Sequence, residues 1–544
     1  MSVSIVNNIV IGPEEVFIPA HLSFGQFMFD KLKEGGNNVA LVSAETHETI
    51  TYIELLKQSV DLAVALKKLG LKKNDVVGIS SENRIEFMVT VLAIVFCGGQ
   101  LSLLNFTYTP EEVTHLINMV KPKFIFVSPI SAQNIYDTCQ NVSFVEKLIM
   151  FGEYDVVPST MYNNLVKESV NVDGFVLEDV NGKNDTLAIM LSSGTTGLPK
   201  GVMLTHVNLL TSIAHMKYYF NTSMKMYNYH MNTAMTLIPW FHAYGFITTI
   251  TGMIEHIKTV FLVRFDPQQY LETIQNYKVN MTTIVPPIAV FLAKDPLVLK
   301  YDLSSLNEVW CGAAPLSKNI QNAISARTGL RRIKNGYGLT EVTMGVCLDY
   351  MEHNKPGTCG QPGPGVRLKV VDIDSGAKLG PGQEGELCVK SVLRMKGYVG
   401  DAAAEGEALF DDEGFVHTGD VGYYDEDGYV YIVDRLKELI KYKGYQVAPA
   451  QLEALLLKHP GVADCGVVGT PDEMAGELPT AFVVLQPDTK LSEQDLVDYI
   501  ASKVSPTKHL RGGVRFIDEI PKNPSGKILR RLLKTMVQKP KSKL

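Results

Sequence analysis

The stretch LSSGTTGLPKGVMLTH, residues 191–206, holds five hydroxyl side chains, three glycines and one lysine directly after a short apolar run. Hydroxyl groups and the backbone N–H groups of glycine can donate to phosphate oxygens, and Lys200 adds a positive charge. The composition therefore predicts a phosphate-binding loop, with a nucleotide as the first candidate ligand. Flexible linkers have the same composition, so other motifs must show whether this stretch is a phosphate-binding loop or a linker.

The stretch differs from the common mononucleotide-binding loop, in which glycine, lysine and a hydroxyl residue are contiguous at the start of a helix. Here Pro199 lies between Gly197 and Lys200, and Gly201 follows the lysine where that motif has a magnesium-binding hydroxyl. If the segment binds phosphate, its hydroxyl groups, glycine N–H groups and Lys200 must be arranged differently from those of that motif.

Further motifs carry residues suited to chemistry: PWFHAYG (239–245), CGAAPL (311–316), NGYGLTE (335–341), HTGD (417–420), DRLKELIKYKGYQVAP (434–449) and PKNPSGKILRR (521–531). Taken alone, each motif can also be explained by an ordinary structural role. Asp420 could cap a turn, Glu341 could favour a helix start, and His242 could be a core histidine. The lysines at 437, 441 and 443 could form a basic helix end.

Together and in this order, the motifs resemble the adenylate-forming superfamily of acyl-CoA synthetases, plant 4-coumarate:CoA ligases and beetle luciferases. The resemblance covers essentially the whole chain. It implies that a carboxylate attacks the α-phosphorus of ATP, that magnesium pyrophosphate leaves, and that the thiol of coenzyme A opens the acyl-adenylate. Fixed cations and hydrogen-bond donors would stabilise the charge that develops on the phosphoryl oxygens.

The resemblance also assigns nucleotide-binding residues. The β and γ phosphates would contact Ser192, Ser193, Gly194, Thr195, Thr196, Gly197 and Lys200. Adenine and the α-phosphate would contact Gly336, Tyr337 and Thr340; the ribose would contact Asp420 and Arg435; Mg²⁺ would be bound by Glu341.

By the same resemblance, Lys527 is the catalytic lysine of the first half-reaction. The C-terminal domain would then rotate about a hinge near Lys437. In the second arrangement Lys441 and Gln446 would contact AMP, and Lys443 and Gly444 would flank the pantetheine of coenzyme A. The acyl site would include His242, beside the carboxylate, with Tyr244, Gly312, Ala313, Met344 and Ser212.

Three segments indicate which branch of the superfamily the chain resembles most. The segments DRLKELIKYKGYQVAPAQLE and LRGGV and the final SKL are most similar to beetle luciferases and their non-luminous relatives.

Two positions bear on the acid substrate. Where luciferases carry an arginine six residues after the histidine of T-H, this chain has Ser212, and Met344 replaces a small serine. A lost cation and an added thioether favour a pocket for flexible apolar chains.

The sequence therefore predicts an ATP-dependent fatty acyl-CoA synthetase for medium to long chains. A luciferase or a 4-coumarate-type ligase is the alternative within the family. An inactive scaffold would be expected to lack some of the charged residues assigned above, and Lys200, Glu341, Asp420, Arg435 and Lys527 are all present.

Composition limits the remaining possibilities. A chain of 544 residues exceeds the usual size of one core, so we expect at least two domains. The net charge of −7 argues against a nucleic-acid partner, and the interrupted uncharged stretches argue against a transmembrane segment. Seven cysteines without a C-x-x-C pair suit reduced thiols.

The last three residues suggest where the protein is located. Ser542, Lys543 and Leu544 predict recognition by a peroxisomal import receptor and a peroxisomal location.

The elements that must position these residues indicate an α/β fold. From Val39 to about residue 350, short apolar runs alternate with helical patterns, which is typical of parallel sheets covered by helices. We expect an N-terminal adenylation domain over residues 1–435, with a β-rich subdomain at about 357–434. A small, mobile α+β domain over residues 436–544 completes the prediction.

Overall fold

The computed structural model describes residues 3–15, 18–19, 21–152, 156–167, 170–193, 199–330, 332–349, 355–400, 409–443, 445–487, 489–523 and 526–538. Some predicted functional residues lie outside these ranges: Gly194, Thr195, Thr196, Gly197, Gly444, Ser542, Lys543 and Leu544.

The strands follow one another along the whole described chain. Up to residue 193 they are β1 (Ser4–Val6), β2 (Ile9–Ile11), β3 (Val39–Ser43), β4 (Thr49–Thr51), β5 (Val76–Ser80), β6 (Gln100–Leu104), β7 (Phe124–Val127), β8 (Lys147–Met150), β9 (Thr160–Met161) and β10 (Thr186–Ser193). Then come β11 (Pro199–Thr205), β12 (Thr233–Thr236), β13 (Lys258–Phe261), β14 (Met281–Ile284), β15 (Glu308–Cys311), β16 (Arg332–Tyr337), β17 (Cys347–Leu348), β18 (Gln361–Pro362), β19 (Arg367–Val371) and β20 (Gly385–Lys390). The last are β21 (Gly397–Tyr398), β22 (Val416–Tyr424), β23 (Val430–Arg435), β24 (Ile440–Tyr442), β25 (Tyr445–Val447), β26 (Val462–Asp472), β27 (Gly476–Leu485) and β28 (Val514–Phe516).

The helices separate these strands mainly in the first two thirds of the chain. They are α1 (Phe24–Gly35), α2 (Tyr52–Lys68), α3 (Ile85–Phe96), α4 (Pro110–Val120), α5 (Ala132–Cys139), α6 (Tyr162–Leu165), α7 (His206–Tyr227), α8 (Ala243–Ile254), α9 (Pro267–Tyr277), α10 (Pro286–Lys294), α11 (Lys318–Thr328), α12 (Pro449–Leu456), α13 (Glu493–Ala501) and α14 (Arg530–Gln538). A capping box of Thr51 and Glu54 begins α2, and one of Ser492 and Asp495 begins α13.

Two large sheets form the centre of the N-terminal part. One has the order β21-β11-β10-β6-β5-β7-β8-β9 and the other β18-β17-β16-β15-β14-β12-β13-β3-β4. Their inner strands are parallel, which confirms the predicted α/β class. Antiparallel strands extend the edges, for example β11 beside β10 and β17 beside β16, and the alternation alone did not predict them.

Helices α3 and α8 are buried on nearly all sides, in a core cluster that includes residues from both sheets. A helix that is apolar all round must be enclosed by protein. These two helices contain most of the long uncharged stretches noted in the sequence. Among the described residues, no helix is both long and apolar enough to span a bilayer.

A third, antiparallel sheet has the order β1-β2-β19-β20-β22-β23 and contains the longer strands of the predicted β-rich region, whereas the short strands β18 and β21 of that region belong to the two large sheets. Its first two strands come from the N-terminus and were not predicted. Asn7 and Asn8 join them with φ of 50° and 59°. A two-residue turn with both φ values positive suits the twist of a hairpin, and asparagine tolerates it. The Asn-Asn pair between apolar runs was the available sequence signal.

The C-terminal part has its own five-stranded sheet, formed by β25, β24, β27, β26 and β28. Helices α12, α13 and α14 contact its strands. A separate core cluster lies here, with Leu452, Leu456 and Val483 fully buried. A large α/β part and a small C-terminal domain are therefore confirmed as the architecture.

One buried histidine predicts a pH-dependent stability. Burial lowers the pKa of His215, on α7, to about 4. Within the described chain neither of its ring nitrogens has a hydrogen-bond partner. The unfolded chain therefore binds a proton that the folded chain does not, and stability falls as the pH drops from about 6.5 towards 4.

We expect His215→Leu to reduce the loss of unfolding free energy between pH 7 and pH 5 by about 1–2 kcal/mol. Urea unfolding followed by tryptophan fluorescence measures this loss, because both tryptophans, Trp240 and Trp310, are buried in the N-terminal part. The exposed His21 provides the control variant, His21→Leu, which should behave as the wild type. An unchanged pH dependence in His215→Leu would contradict the prediction.

Candidate active site

A cross-strand ion pair lies at the centre of the predicted site. Asp420 on β22 pairs in register with Arg435 on β23, and Arg435 Nε is 2.9 Å from Asp420 Oδ1. The Tyr337 hydroxyl donates to Asp420 Oδ2 at 2.8 Å. Burial raises the pKa of the Asp420 carboxyl, while Arg435 and Tyr337 oppose this effect. The structure thus brings together three residues from two sheets that were predicted separately.

The HTGD motif is held by the neighbouring strand β20. The Gly419 N–H donates to Glu386 Oε1 at 2.9 Å, and His417 Nδ1 lies 2.8 Å from Glu386 Oε2. The Thr418 hydroxyl donates to the Leu387 carbonyl at 2.8 Å. Asp420 is therefore a strand residue and does not cap a turn. Glu386 was not predicted, although a carboxylate within the apolar run GELCV was a usable signal.

The segment after Tyr337 requires a glycine. A Cβ at Gly338 would lie 1.2 Å from the Met344 carbonyl oxygen, so no other residue fits without movement of the backbone. Thr343 and Met344 both have positive φ, at 49° and 79°. The Met344 N–H donates to the Leu339 carbonyl at 3.0 Å, which closes the loop that carries Glu341.

An aromatic ring connects Glu341 with Lys200. The Tyr398 hydroxyl donates to Glu341 Oε1 at 2.9 Å, and Lys200 Nζ lies 5.2 Å from the centre of the Tyr398 ring. A lysine ammonium at this distance is attracted by the ring. The structure therefore places the predicted phosphate-binding lysine near the predicted magnesium ligand. Tyr398 was missed, and its position in the glycine-flanked GYVG was the available signal.

The opening loop begins and ends in a hairpin. Ser192 pairs with Lys200 and Ser193 with Pro199, in the antiparallel register of β10 and β11. The strand β10 therefore continues through Ser193, three residues beyond the apolar run that ends at Met190. Ser192 is half-buried, Lys200 is buried, and both belong to strands.

Lys527 lies next to the same charged group. A turn with Gly526 at φ 77° presents it, and Asn523 Oδ1 accepts from the Lys527 N–H at 2.8 Å. Lys527 Nζ is 3.8 Å from Glu438 Oε1. Burial and the charge of Arg435 lower the pKa of the Lys527 ammonium, whereas Glu438 and Asp420 oppose this. The C-terminal lysine thus faces the Asp420–Arg435 pair.

The residues predicted for the second arrangement are elsewhere. Lys441, Lys443 and Gln446 are exposed on the hairpin of β24 and β25, and Lys437 is exposed in the preceding turn. Among the described residues, no hydrogen bond or ion pair joins these side chains to Asp420. The structure therefore shows the C-terminal domain with Lys527 towards the site and the hairpin lysines away from it.

The predicted acyl-site residues form two groups. In the first, the Tyr244 hydroxyl donates to the Trp310 carbonyl at 2.7 Å, and a Cβ at Gly312 would contact the Tyr244 ring at 3.3 Å. Ala313 follows with a φ of 70°. His242 precedes α8, and burial lowers its pKa to about 4, so its imidazole is neutral at pH 7.

The second group contains the two positions that depart from the luciferase pattern. The Ser212 hydroxyl, on α7, donates to the Thr343 carbonyl at 2.8 Å, directly beside Met344. The Thr343 hydroxyl in turn donates to the Leu393 carbonyl at 2.6 Å. Ser212 and Met344 are therefore neighbours although more than a hundred positions separate them, and both departures from the luciferase pattern affect the same region.

Comparison with protein families agrees with this geometry. A model of the family described as "AMP-binding enzyme" matches residues 29–399, and one described as "AMP-binding enzyme C-terminal domain" matches residues 451–527. The chain belongs to the AMP-binding enzyme family. As a member, it is an adenylate-forming enzyme of the acyl- or aryl-CoA ligase type.

Individual members of the AMP-binding family are similar over nearly the full chain. Luciferin 4-monooxygenase of Nipponoluciola cruciata is 38% identical, covering 99% of this chain and 98% of that protein. A 4-coumarate–CoA ligase of Humulus lupulus is 36% identical, covering 96% of this chain and 95% of its own. The crystal structure of ATP-bound MatB from Rhodopseudomonas palustris superposes with a TM-score of 0.83 at 27% identity, covering 94% and 98% of the two chains.

The glycine at 338 yields a direct test of the loop geometry. In Gly338→Ala the methyl group forces the loop with Tyr337 and Glu341 to move, and we expect ATP affinity to fall at least about tenfold. Gly345→Ala is the matched control, since a Cβ there meets no atom within 4 Å. Isothermal titration with ATP measures both variants. If Gly338→Ala and Gly345→Ala bound ATP with equal affinity, the close approach of Gly338 to the Met344 carbonyl would not determine the geometry of the site.

Proposed function

We propose that this AMP-binding enzyme is an ATP-dependent fatty acyl-CoA synthetase acting on medium- to long-chain acids. The observation that carries the proposal is the convergence of Lys527, Arg435, Lys200 and two carboxylates, Asp420 and Glu341, on one place between the two domains. Such an array suits a reaction in which negative charge develops on phosphoryl oxygens. The similarity to MatB, whose structure is bound to ATP, and to the 4-coumarate–CoA ligase of Humulus lupulus supports the proposal.

In the first half-reaction, Asp420 accepts from the ribose hydroxyls while Arg435 holds its carboxylate in place. Lys200 and the hydroxyls of the opening loop bind the β and γ phosphates. Lys527 donates to the α-phosphate and to the attacking carboxylate, and so stabilises charge at the bond that forms. The neutral imidazole of His242 orients the carboxylate without transferring a proton to ATP.

The donor set also fits a magnesium ion. Mg²⁺ is usually held by one or two carboxylates together with substrate phosphates, and the Glu341 carboxylate lies near the predicted phosphate lysine. When bound, the ion would neutralise charge on the pyrophosphate that leaves. Tyr398 positions Glu341 through the hydroxyl bond described above, so the carboxylate has one defined orientation.

In the second half-reaction the C-terminal domain rotates at the turn near Lys437. This motion would withdraw Lys527 and bring the hairpin of Lys441, Lys443 and Gln446 to the adenylate. Exposure of that hairpin supports this proposal, because exposed side chains lose little packing when the domain moves. Lys443 and Gly444 would then flank the pantetheine of coenzyme A.

The substrate assignment depends on the region of Ser212 and Met344. No cation stands at position 212, and the flexible thioether of Met344 suits an apolar chain of variable shape. The similarity to the luciferase of Nipponoluciola cruciata makes a luciferase the second candidate, and the Humulus relative makes an aromatic acid the third.

A competition experiment tests the proposal. The protein would be incubated with ATP, magnesium, coenzyme A and an equimolar mixture of short to very long fatty acids, coumarate and luciferin. We expect mass spectrometry to detect acyl-CoA with a maximum at a medium or long chain. Light with luciferin, or coumaroyl-CoA as the main product, would contradict the fatty-acid assignment.

Lys527→Ala is the diagnostic variant for the same assay. Since it removes one positive charge from the transition state, acid-dependent pyrophosphate release should fall on the order of a hundredfold or more. Lys490 is exposed in the C-terminal domain and belongs to none of the predicted sites, so Lys490→Ala should release pyrophosphate at nearly the wild-type rate. If Lys527→Ala also kept that rate, the catalytic assignment would be wrong.

A further inference from the structure

The helix α10 of the N-terminal part contacts the C-terminal domain through its last residue. Lys294 Nζ donates to the Leu457 carbonyl at 2.7 Å and to the Val462 carbonyl at 3.0 Å. Both acceptors are backbone groups of the C-terminal domain, so these bonds do not depend on a mobile side chain there. Lys294 lay outside every motif considered in the sequence.

The two carbonyls are suitable partners for a cation. Leu457 is the C-cap of α12, and the last carbonyls of a helix carry partial negative charge without a partner inside the helix. Val462 begins β26, which is buried in the C-terminal sheet. A lysine that donates to both therefore fixes the position of a rigid part of that domain.

Lys294 is itself held in place from the neighbouring helix. Arg327 on α11 donates to the Ala293 carbonyl at 3.2 Å and to the Asp295 carbonyl at 2.5 Å. These residues flank Lys294 on both sides. The end of α10 is thus anchored within the N-terminal part, and the ammonium group presented from it has a defined direction.

The opposite end of α10 contacts the turn that presents Lys527. Val285 is the N-cap of α10, and a Cβ at Gly526 would lie 2.8 Å from Val285 Cγ2. The same Cβ would lie 3.5 Å from Cδ of Pro287. One helix therefore supports the C-terminal domain at two points, and one of these points is adjacent to Lys527.

We propose that Lys294 is a positioning residue for the first half-reaction, which holds the C-terminal domain in the arrangement that directs Lys527 at the α-phosphate. The inference rests on the proposed function. The acceptors lie in the body that rotates, so rotation towards the second arrangement breaks both bonds. Loss of Lys294 should therefore slow adenylate formation and spare thioester formation.

The kinetic test uses three variants and two separate assays. Lys294→Met removes the donors and keeps the chain length; Lys294→Arg retains donors for both carbonyls; the exposed Lys300→Met is the matched control. Acid-dependent pyrophosphate release measures the first step, and conversion of synthetic acyl-adenylate with coenzyme A measures the second. We expect Lys294→Met to slow the first step about tenfold, as loss of roughly 1.4 kcal/mol would, and to leave the second within twofold.

Lys294→Arg should recover most of the first step, and Lys300→Met should resemble the wild type in both. Equal slowing of both steps by Lys294→Met would show a general structural role and would overturn the proposal. So would unchanged rates in both steps.

A readout that does not need the enzymatic reaction separates this proposal from the proposed function. Hydrogen–deuterium exchange in the full-length protein reports on peptides covering residues 285–294 and 521–529. In Lys294→Met both should exchange faster than in the wild type, whereas Lys300→Met should not change them. Unchanged exchange would overturn the role of Lys294. If the wild type activated none of the acids, the synthetase proposal would fail and exchange alone would decide this one.

Discussion

The pairing of β22 with β23 places a buried carboxylate beside a guanidinium that remains partly exposed, and the rest of the site is arranged around this pair. Asp420 is only 4% exposed, so its charge depends on Arg435 and on the Tyr337 hydroxyl. Removing Arg435 would leave the buried Asp420 carboxylate without its compensating charge, which is destabilising. The register of these two strands, which is set by backbone hydrogen bonds, keeps Asp420 beside Arg435.

Around this pair the protein collects positive groups from different parts of the chain. Lys200 comes from the edge of one large sheet, and Lys527 comes from the C-terminal domain. Burial and the charge of Arg435 lower the pKa of the Lys527 ammonium, and the Glu438 carboxylate opposes this effect. Under the proposed function, Lys200 and Lys527 are the cations that neutralise the phosphates of ATP.

Sequence reasoning predicted the parallel α/β character, because the alternation of short apolar runs and helical patterns has a direct physical meaning. The roles of Lys200, Glu341, Asp420, Arg435 and Lys527 stay predictions, although the structure brings these residues together. Sequence reasoning missed what depends on approach in three dimensions: the N-terminal strands beside β19, Tyr398 between Lys200 and Glu341, and Glu386 on the strand beside the HTGD motif. No local pattern could show that Ser212 and Met344 are neighbours.

Lys294 illustrates the same limit. It is an ordinary lysine at a helix end, and only the structure shows that its partners belong to another domain. Domain arrangement depends on a few contacts of this kind, each worth about 1–3 kcal/mol when charged groups take part. Such contacts can stabilise one arrangement and still be broken at each turnover.

We propose that Asp420 and Arg435 form the ribose end of an ATP site. Isothermal titration calorimetry of the wild type and Asp420→Asn with ATP tests this role, with the exposed Asp374→Asn as control. We expect Asp420→Asn to weaken binding about tenfold or more, because a charge-assisted hydrogen bond is lost, and the control to bind ATP as the wild type does. Equal ATP affinity in Asp420→Asn and the wild type, with both proteins folded, would contradict it.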